Sequence, residues 1–213
     1  MKLRWLGHSC FLITTYDGKR ILTDPFDETV GYVSPGVTAD FITISHDHFD
    51  HSYISEEAGE PTILKHPGSY TWRDLSIWTV ETYHDNEAGL KRGNNLVFVI
   101  ESEGIRVVHL GDLGHVPDGR QRTQIGRVDV LLIPVGGRFT IDAQQAASVV
   151  AMLSPKVVIP MHYKTEALSF PLDPVDAFLD LVGGAQMIPS TTLEITQEDL
   201  KQNDRRICVL QYA

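Results

Sequence analysis

Phe41-Ile42-Thr43-Ile44-Ser45-His46-Asp47-His48-Phe49-Asp50-His51 is the stretch that decides how this chain reads. A short apolar run, the pattern of a buried strand, ends in three imidazoles and two carboxylates within six residues. In extended backbone, residues two apart project to the same side, so His46 and His48 point together; on a helix they would diverge. Asp50 and His51 follow where the chain must turn. Neutral imidazole nitrogen and carboxylate oxygen are good ligands for Zn²⁺ and similar divalent ions. A solvated polar loop accounts for one such histidine. An H-x-H-x-D-H run directly after an apolar strand reads instead as a metal-ligating cluster.

Working outward, ligand-type residues recur at the ends of other apolar runs. Asp24 follows Ile21-Leu22-Thr23, and His84 follows Ile77-Trp78-Thr79-Val80-Glu81-Thr82-Tyr83. Asp112 follows Val107-Val108-His109-Leu110-Gly111, and His162 follows Val157-Val158-Ile159-Pro160-Met161. The same placement at five strand ends describes one rim of a sheet collecting its functional residues.

Short strands are expected at Leu3–Leu6, Ser9–Thr15, Arg20–Thr23, Asp40–Ser45, Leu75–Tyr83, Asn95–Glu101, Ile105–His109 and Val128–Pro134. Asp17-Gly18 suits the hairpin between the second and third. Asp142 caps a helix that buries Ala143, Ala146, Ala147, Val150 and Leu153 and stops before Pro155. Lys156–Met161 is a buried strand. A second helix runs from Asp173-Pro174 to about Leu181 and ends at Gly183-Gly184. Thr192–Ile195 and Arg206–Tyr212 close the chain as strands. This order predicts a layered α/β protein of mixed sheets with helices on the outer faces, in one domain over residues 1–213.

Composition narrows the function classes. The chain has 213 residues, a formal net charge of −10 and 42% hydrophobic residues, the balance of a folded domain with its own core. With two cysteines, Cys10 and Cys208, a disulfide scaffold or cysteine-rich zinc module is excluded. No apolar run reaches the ~20 residues of a membrane span, and the start lacks a signal-type stretch, so a cytoplasmic location is expected. The acidic balance argues against nucleic acid or anionic membrane as a partner. Homo-oligomerisation is left open.

Taken together, these motifs resemble those of metallo-β-lactamase-fold hydrolases, in the family's order and essentially end to end. Within that superfamily the chain is similar to the compact UPF0173-like metal-dependent hydrolases, relatives of the bacterial L-ascorbate-6-phosphate lactonases. The resemblance also rests on Leu6-Gly7-His8-Ser9-Cys10-Phe11, His109-Leu110-Gly111-Asp112, Pro134-Val135-Gly136-Gly137-Arg138-Phe139-Thr140 and Pro160-Met161-His162-Tyr163. It implies an αββα sandwich with metals at one edge between the sheets. It further implies that His46, His48 and His84 hold one divalent ion, that Asp50, His51 and His162 hold a second, and that Asp112 bridges. Zinc is the first choice of metal, with Mn, Fe or Ni as alternatives. A hydroxide shared by the pair would be the nucleophile, and Asp50 would orient it or pass a proton to the leaving group.

Other residues have supporting roles in this reading. Asp24 is expected to fix a ligating imidazole's tautomer through its other N–H. His8 and His109 are candidates for contacting either ligands or substrate. Arg138 sits in a turn that caps the following helix and could add a charged fork for an anion. A carboxylate at Asp112 differs from the Cys of a major class of true β-lactamases. His48 differs from the carboxylate of flavodiiron-type relatives. The expected substrate is therefore a small anionic ester, a phosphodiester or a (phosphorylated) lactone. The alternatives are a non-catalytic metal-binding or sensor protein and a mononuclear iron oxygenase of the same fold. The chain departs from its relatives at His84-Asp85-Asn86 and at Phe49, which detaches substrate identity from the resemblance.

Overall fold

The computed structural model describes every residue of the chain except Asn203. In its first third the strands are β1 (Lys2–Gly7), β2 (Cys10–Thr14), β3 (Arg20–Thr23), β4 (Phe41–Thr43), β5 (Thr62–Leu64) and β6 (Ser69–Trp72). The long strands β7 (Leu75–Tyr83) and β8 (Asn94–Ser102) and the shorter β9 (Ile105–His109) follow. The rest alternates: α1 (Gly119–Ile125), β10 (Val130–Pro134), α2 (Ala143–Leu153), β11 (Val157–Met161) and α3 (Asp176–Val182). Strands β12 (Gln186–Ile188), β13 (Thr192–Glu194) and β14 (Arg206–Leu210) end the fold.

These strands form two mixed sheets. One has the order β13-β1-β2-β3-β4-β5, the other β12-β14-β11-β10-β9-β8-β7-β6. The period-two alternation of the first sheet decides its packing. Leu3, Trp5, Phe11, Ile13, Ile21 and Phe41 enter one large core with residues of β7 to β11. Their neighbours Leu6, Cys10, Leu12, Leu22, Ile42 and Ile44 face the other way, into a smaller core. Strands β10 and β11 are buried at every residue, which is why they read as unbroken apolar runs. Helices α1, α2 and α3 contribute Ile125, Val149 and Phe178 to the large core. The smaller core is covered instead by Phe26, Val30, Ala58, Leu168 and Leu172, from 3-10 turns and loops. The layered α/β class and the two mixed sheets are as expected, with the helical cover unevenly shared.

Strand direction positions the site. β3 and β4 are parallel. In the other sheet β10 is parallel to both β9 and β11. β7 and β9 each pair antiparallel with β8, so β7 also runs with β9. The carboxyl ends of β3, β4, β7, β9 and β11 carry Asp24, the histidine run, His84, Asp112 and His162, the location where open α/β sheets build their sites.

Four elements went unread in the sequence. β5, β6 and β12 have three or four residues each, largely exposed and without a long apolar pattern. α1 announces itself only through a capping box between Asp118 and Gln121. The second predicted helix begins later than expected, at Asp176, because Asp173 is tied to the Gly136 and Lys164 backbone.

Candidate metal centre

His8, Asp24 and His162 are each the first residue after a strand, and each has a left-handed backbone, with φ of 49°, 40° and 51°. For residues other than glycine this costs about 1–2 kcal/mol, a strain typical of functional positions. It swings these side chains inward at the strand ends. Gly111, with φ of 56°, makes the same turn before Asp112. A Cβ there would lie 2.4 Å from Asn95 Oδ1 and 2.6 Å from Ser45 Cβ, so only glycine lets the end of β9 approach the histidine run.

Asp112 is the meeting point. Its Oδ2 lies 3.2 Å from His162 Nε2, 3.3 Å from His84 Nε2 and 4.0 Å from His46 Nε2, and its Oδ1 lies 3.4 Å from His51 Nε2. Donor atoms within 4.8 Å of one another form three groups: His46, His48 and His84; His8, Asp50, His51 and His162; and Asp24, His46 and His51. Thus all seven expected ligands converge, and His8 joins them with Nε2 3.2 Å from Asp50 Oδ2.

The arrangement fits divalent metal. His46 Nε2, His51 Nε2 and Asp112 Oδ1 are buried with no hydrogen-bond partner among the described residues, although they face one another. Unpaired buried polar atoms cost about 1–3 kcal/mol each, and coordination to cations would satisfy them. Burial pushes the His46 imidazole down to about 3 and that of His8 down to about 4, the adjacent His51 and His162 rings adding to the effect. At Asp112 burial alone would raise the carboxyl, but the imidazoles of His162 and His51 hold it well below the usual range. Burial likewise opposes charge on His51, yet Asp112 and Asp24 raise it well above the ordinary imidazole range. His46 is thus neutral and ready to ligate, whereas His51 carries a proton that a bound cation would displace from Nε2, so metal uptake at this ring is coupled to proton release.

The supporting layer is also in place. Asp24 Oδ2 accepts from His51 Nδ1 at 2.9 Å and from Ser45 Oγ at 2.6 Å, and its Oδ1 accepts from the Ser45 amide at 2.8 Å. Because Ser45 Oγ donates to Asp24, it accepts from His46 Nδ1 at 2.9 Å. Both rings are thereby held with Nε2 toward the cluster. Asn95 Oδ1 accepts from the Asp112 amide at 2.9 Å, while its Nδ2 donates to Thr82 Oγ1 and Leu110 O. Ser45 and Asn95 were not singled out in the sequence, because each sits at the end of an apolar run, where a polar residue gives no sign of burial.

Two sequence candidates lie elsewhere. His109 does not face the cluster: its Nε2 donates to Ser9 O at 2.8 Å and its Nδ1 accepts from the Gly111 amide at 3.2 Å. It is a strut that joins the two sheets under the Gly111–Asp112 turn. Arg138 is exposed, lies 3.4 Å from Asp173 Oδ1 and does not line the cavity over the cluster. The cation that lines it is Arg92, whose Nη2 donates to the Arg138 carbonyl at 3.4 Å. Arg92 was not singled out in the sequence. Asp85 holds its loop, accepting from the amides of Glu87, Gly89, Lys91 and Arg92 at 2.8–2.9 Å. The cavity, about 500 Å³, opens over His48, Asp50, His84, Asp112 and His162. Among the described residues no helix is long and apolar enough to cross a membrane.

The chain is similar to known proteins in sequence and fold. A family model described as the beta-lactamase superfamily domain matches residues 2–162. A UPF0173 metal-dependent hydrolase from Thermococcus kodakarensis is 32% identical over 193 residues, covering 78% of this chain and 85% of the relative. One from Carboxydothermus hydrogenoformans is 31% identical over 194 residues, with the same shares of 78% and 85%. A crystal structure from Thermotoga maritima, provisionally described as a Zn-dependent hydrolase of the metallo-beta-lactamase superfamily, is 43% identical. It superposes with a TM-score of 0.83 over 100% of this chain and 99% of its own.

Proposed function

The chain belongs to the beta-lactamase superfamily, and we propose that it is a two-metal hydrolase of small anionic esters, either phosphodiesters or (phosphorylated) lactones. The carrying observation is the set of buried, mutually facing atoms His46 Nε2, His51 Nε2 and Asp112 Oδ1, which have no hydrogen-bond partner among the described residues and lie beneath an open cavity that presents Arg92. His46, His48 and His84 would hold one ion, Asp50, His51 and His162 the other, and Asp112 lies between the two groups. When bound, such a pair supplies Lewis acidity and activates water near neutral pH.

The remaining work falls to the chain's own residues. Asp24 and Ser45 keep the His51 and His46 rings in one tautomer. His8 donates from Nε2 to Asp50 Oδ2, 3.2 Å away, and so holds that carboxylate at the cavity wall, where it can orient water or pass a proton to the leaving oxygen. Arg92 offers a fixed positive charge to an anionic substrate. Both substrate types develop negative charge on oxygen in the transition state, which this cationic setting favours.

Metal analysis of purified protein is expected to give near two equivalents. Asp112→Ala is expected to lower kcat/KM by roughly a thousandfold or more toward a generic phosphodiester and a lactone. If both hydrolyses survive the substitution, the two-metal reading is wrong. One equivalent of iron with oxygen consumption would identify an oxygenase instead.

A further inference from the structure

Three phenylalanines from distant parts of the chain meet at the cavity: Phe49 in the histidine run, Phe139 before α2, and Phe170 in the loop after β11. Phe49 is 59% exposed and Phe139 37% exposed, so neither is there to fill a core. Phe170 starts the wall at the ligand cluster, its ring 5.7 Å from that of His8. Phe49 extends it, edge to face with Phe170 at 6.0 Å and 81°. Phe139 stands under the Arg92 guanidinium, 5.4 Å from ring centre to carbon. Aromatic surface left in water beside a ligand cluster is a binding surface in waiting.

The charges around this wall are uneven. Asp50 and Asp112 belong to the ligand cluster. Asp47 is exposed and lies 3.9 Å from Lys65 Nζ. Arg92 is left as the positive group adjoining the aromatic rings. The cavity thus offers an apolar wall with one cation adjoining it, beside the ligand cluster. We infer that Phe49, Phe139 and Phe170 select esters carrying an aryl or bulky alkyl group, with Arg92 taking the substrate's anionic group. This inference rests on the hydrolase reading above and narrows its substrate class away from purely polar sugar-like esters. Arg92 is held in place by the loop that Asp85 organises, its amide donating to Asp85 Oδ2 at 2.8 Å.

The test uses zinc-reconstituted protein and two probes, phenylphosphonate and methylphosphonate, with affinities from calorimetry. Phenylphosphonate is expected to bind at least about tenfold tighter, the scale of burying one ring in an apolar site. The double variant Phe49→Ala/Phe139→Ala, with folding checked by circular dichroism, is expected to bring the ratio to within about twofold. Arg92→Met is expected to weaken both probes alike. Equal affinities in the unaltered protein, no binding of either probe, or a ratio that survives the double variant each overturn the inference. Hydrolysis is read separately with methyl and phenyl 4-nitrophenyl phosphate. No turnover of either, alongside a retained phenylphosphonate preference, sinks phosphodiester hydrolysis and leaves the aromatic wall standing.

Discussion

A histidine binds a cation through its unprotonated nitrogen, and what the other nitrogen touches decides which one that is. At His51 the deciding group is Asp24, buried, with its carboxylate 2.9 Å from Nδ1. Burial alone would raise the Asp24 carboxyl, but the His51 hydrogen bond and the nearby imidazoles lower it, so the carboxylate stays ionised. Asp24→Ala is expected to weaken zinc binding by about 10–100-fold, read by competition with a chromophoric chelator. Asp24→Asn, whose Oδ1 can still accept from Nδ1, should fall between the two. The alanine variant also strands the Ser45 amide and hydroxyl, a cost of about 1–3 kcal/mol in denaturant unfolding. Unchanged affinity in the alanine variant would show that His51 is oriented by something else.

At the scale of elements, what matters is how loops are tied to strand ends. The loop after β7 closes around Asp85, whose two oxygens accept four backbone N–H groups. Its carboxyl is consequently held well below the ordinary carboxylate range. A lowered carboxyl contributes stability that is full above the unfolded-state value, about 4, and is lost as pH falls through the folded-state value. Asp85→Asn should therefore unfold more easily than the parent at neutral pH, with the gap closing below about pH 4. Asp85→Ala is expected to raise KM for anionic esters by roughly 5–10-fold while kcat falls less, because Arg92 loses its anchor and the metal ligands do not. Equal falls in both parameters would place the loop in the chemical step instead.

At the scale of the whole molecule, the cluster spans the two sheets. Asp24, His46, His48, Asp50 and His51 follow strands of one sheet, while His84, Asp112 and His162 follow strands of the other. A bound ion therefore cross-links layers otherwise joined by the apolar core and by struts such as His109 and the His162 amide, which donates to the His8 carbonyl at 3.2 Å. At a thousandfold excess over its dissociation constant, one ion adds about 4 kcal/mol to stability. For a chain of this size, that is a rise in Tm of roughly 8–16 °C per site. Scanning calorimetry with chelator and with zinc reads it, and coincident curves would mean that metal does not join the layers.

The division between sequence and tertiary structure follows from the range of the forces involved. The sequence by itself determined the ligand chemistry, because H-x-H-x-D-H is a local pattern and extended backbone puts His46 and His48 on one side whatever surrounds them. It also determined the long apolar strands and the Asp142-capped helix, whose signals lie within a dozen residues. The short edge strands were illegible, since β5, β6 and β12 owe their existence to a paired neighbour, not to propensity. Only the tertiary structure turned His109 away from the cluster toward Ser9, 100 residues distant. Likewise it brought His8 in against Asp50, paired Arg138 with Asp173, and set Arg92 and three phenylalanines at the cavity. Those placements depend on how two twisted sheets pack, and packing is decided by contacts between residues far apart in the chain, which no local pattern records.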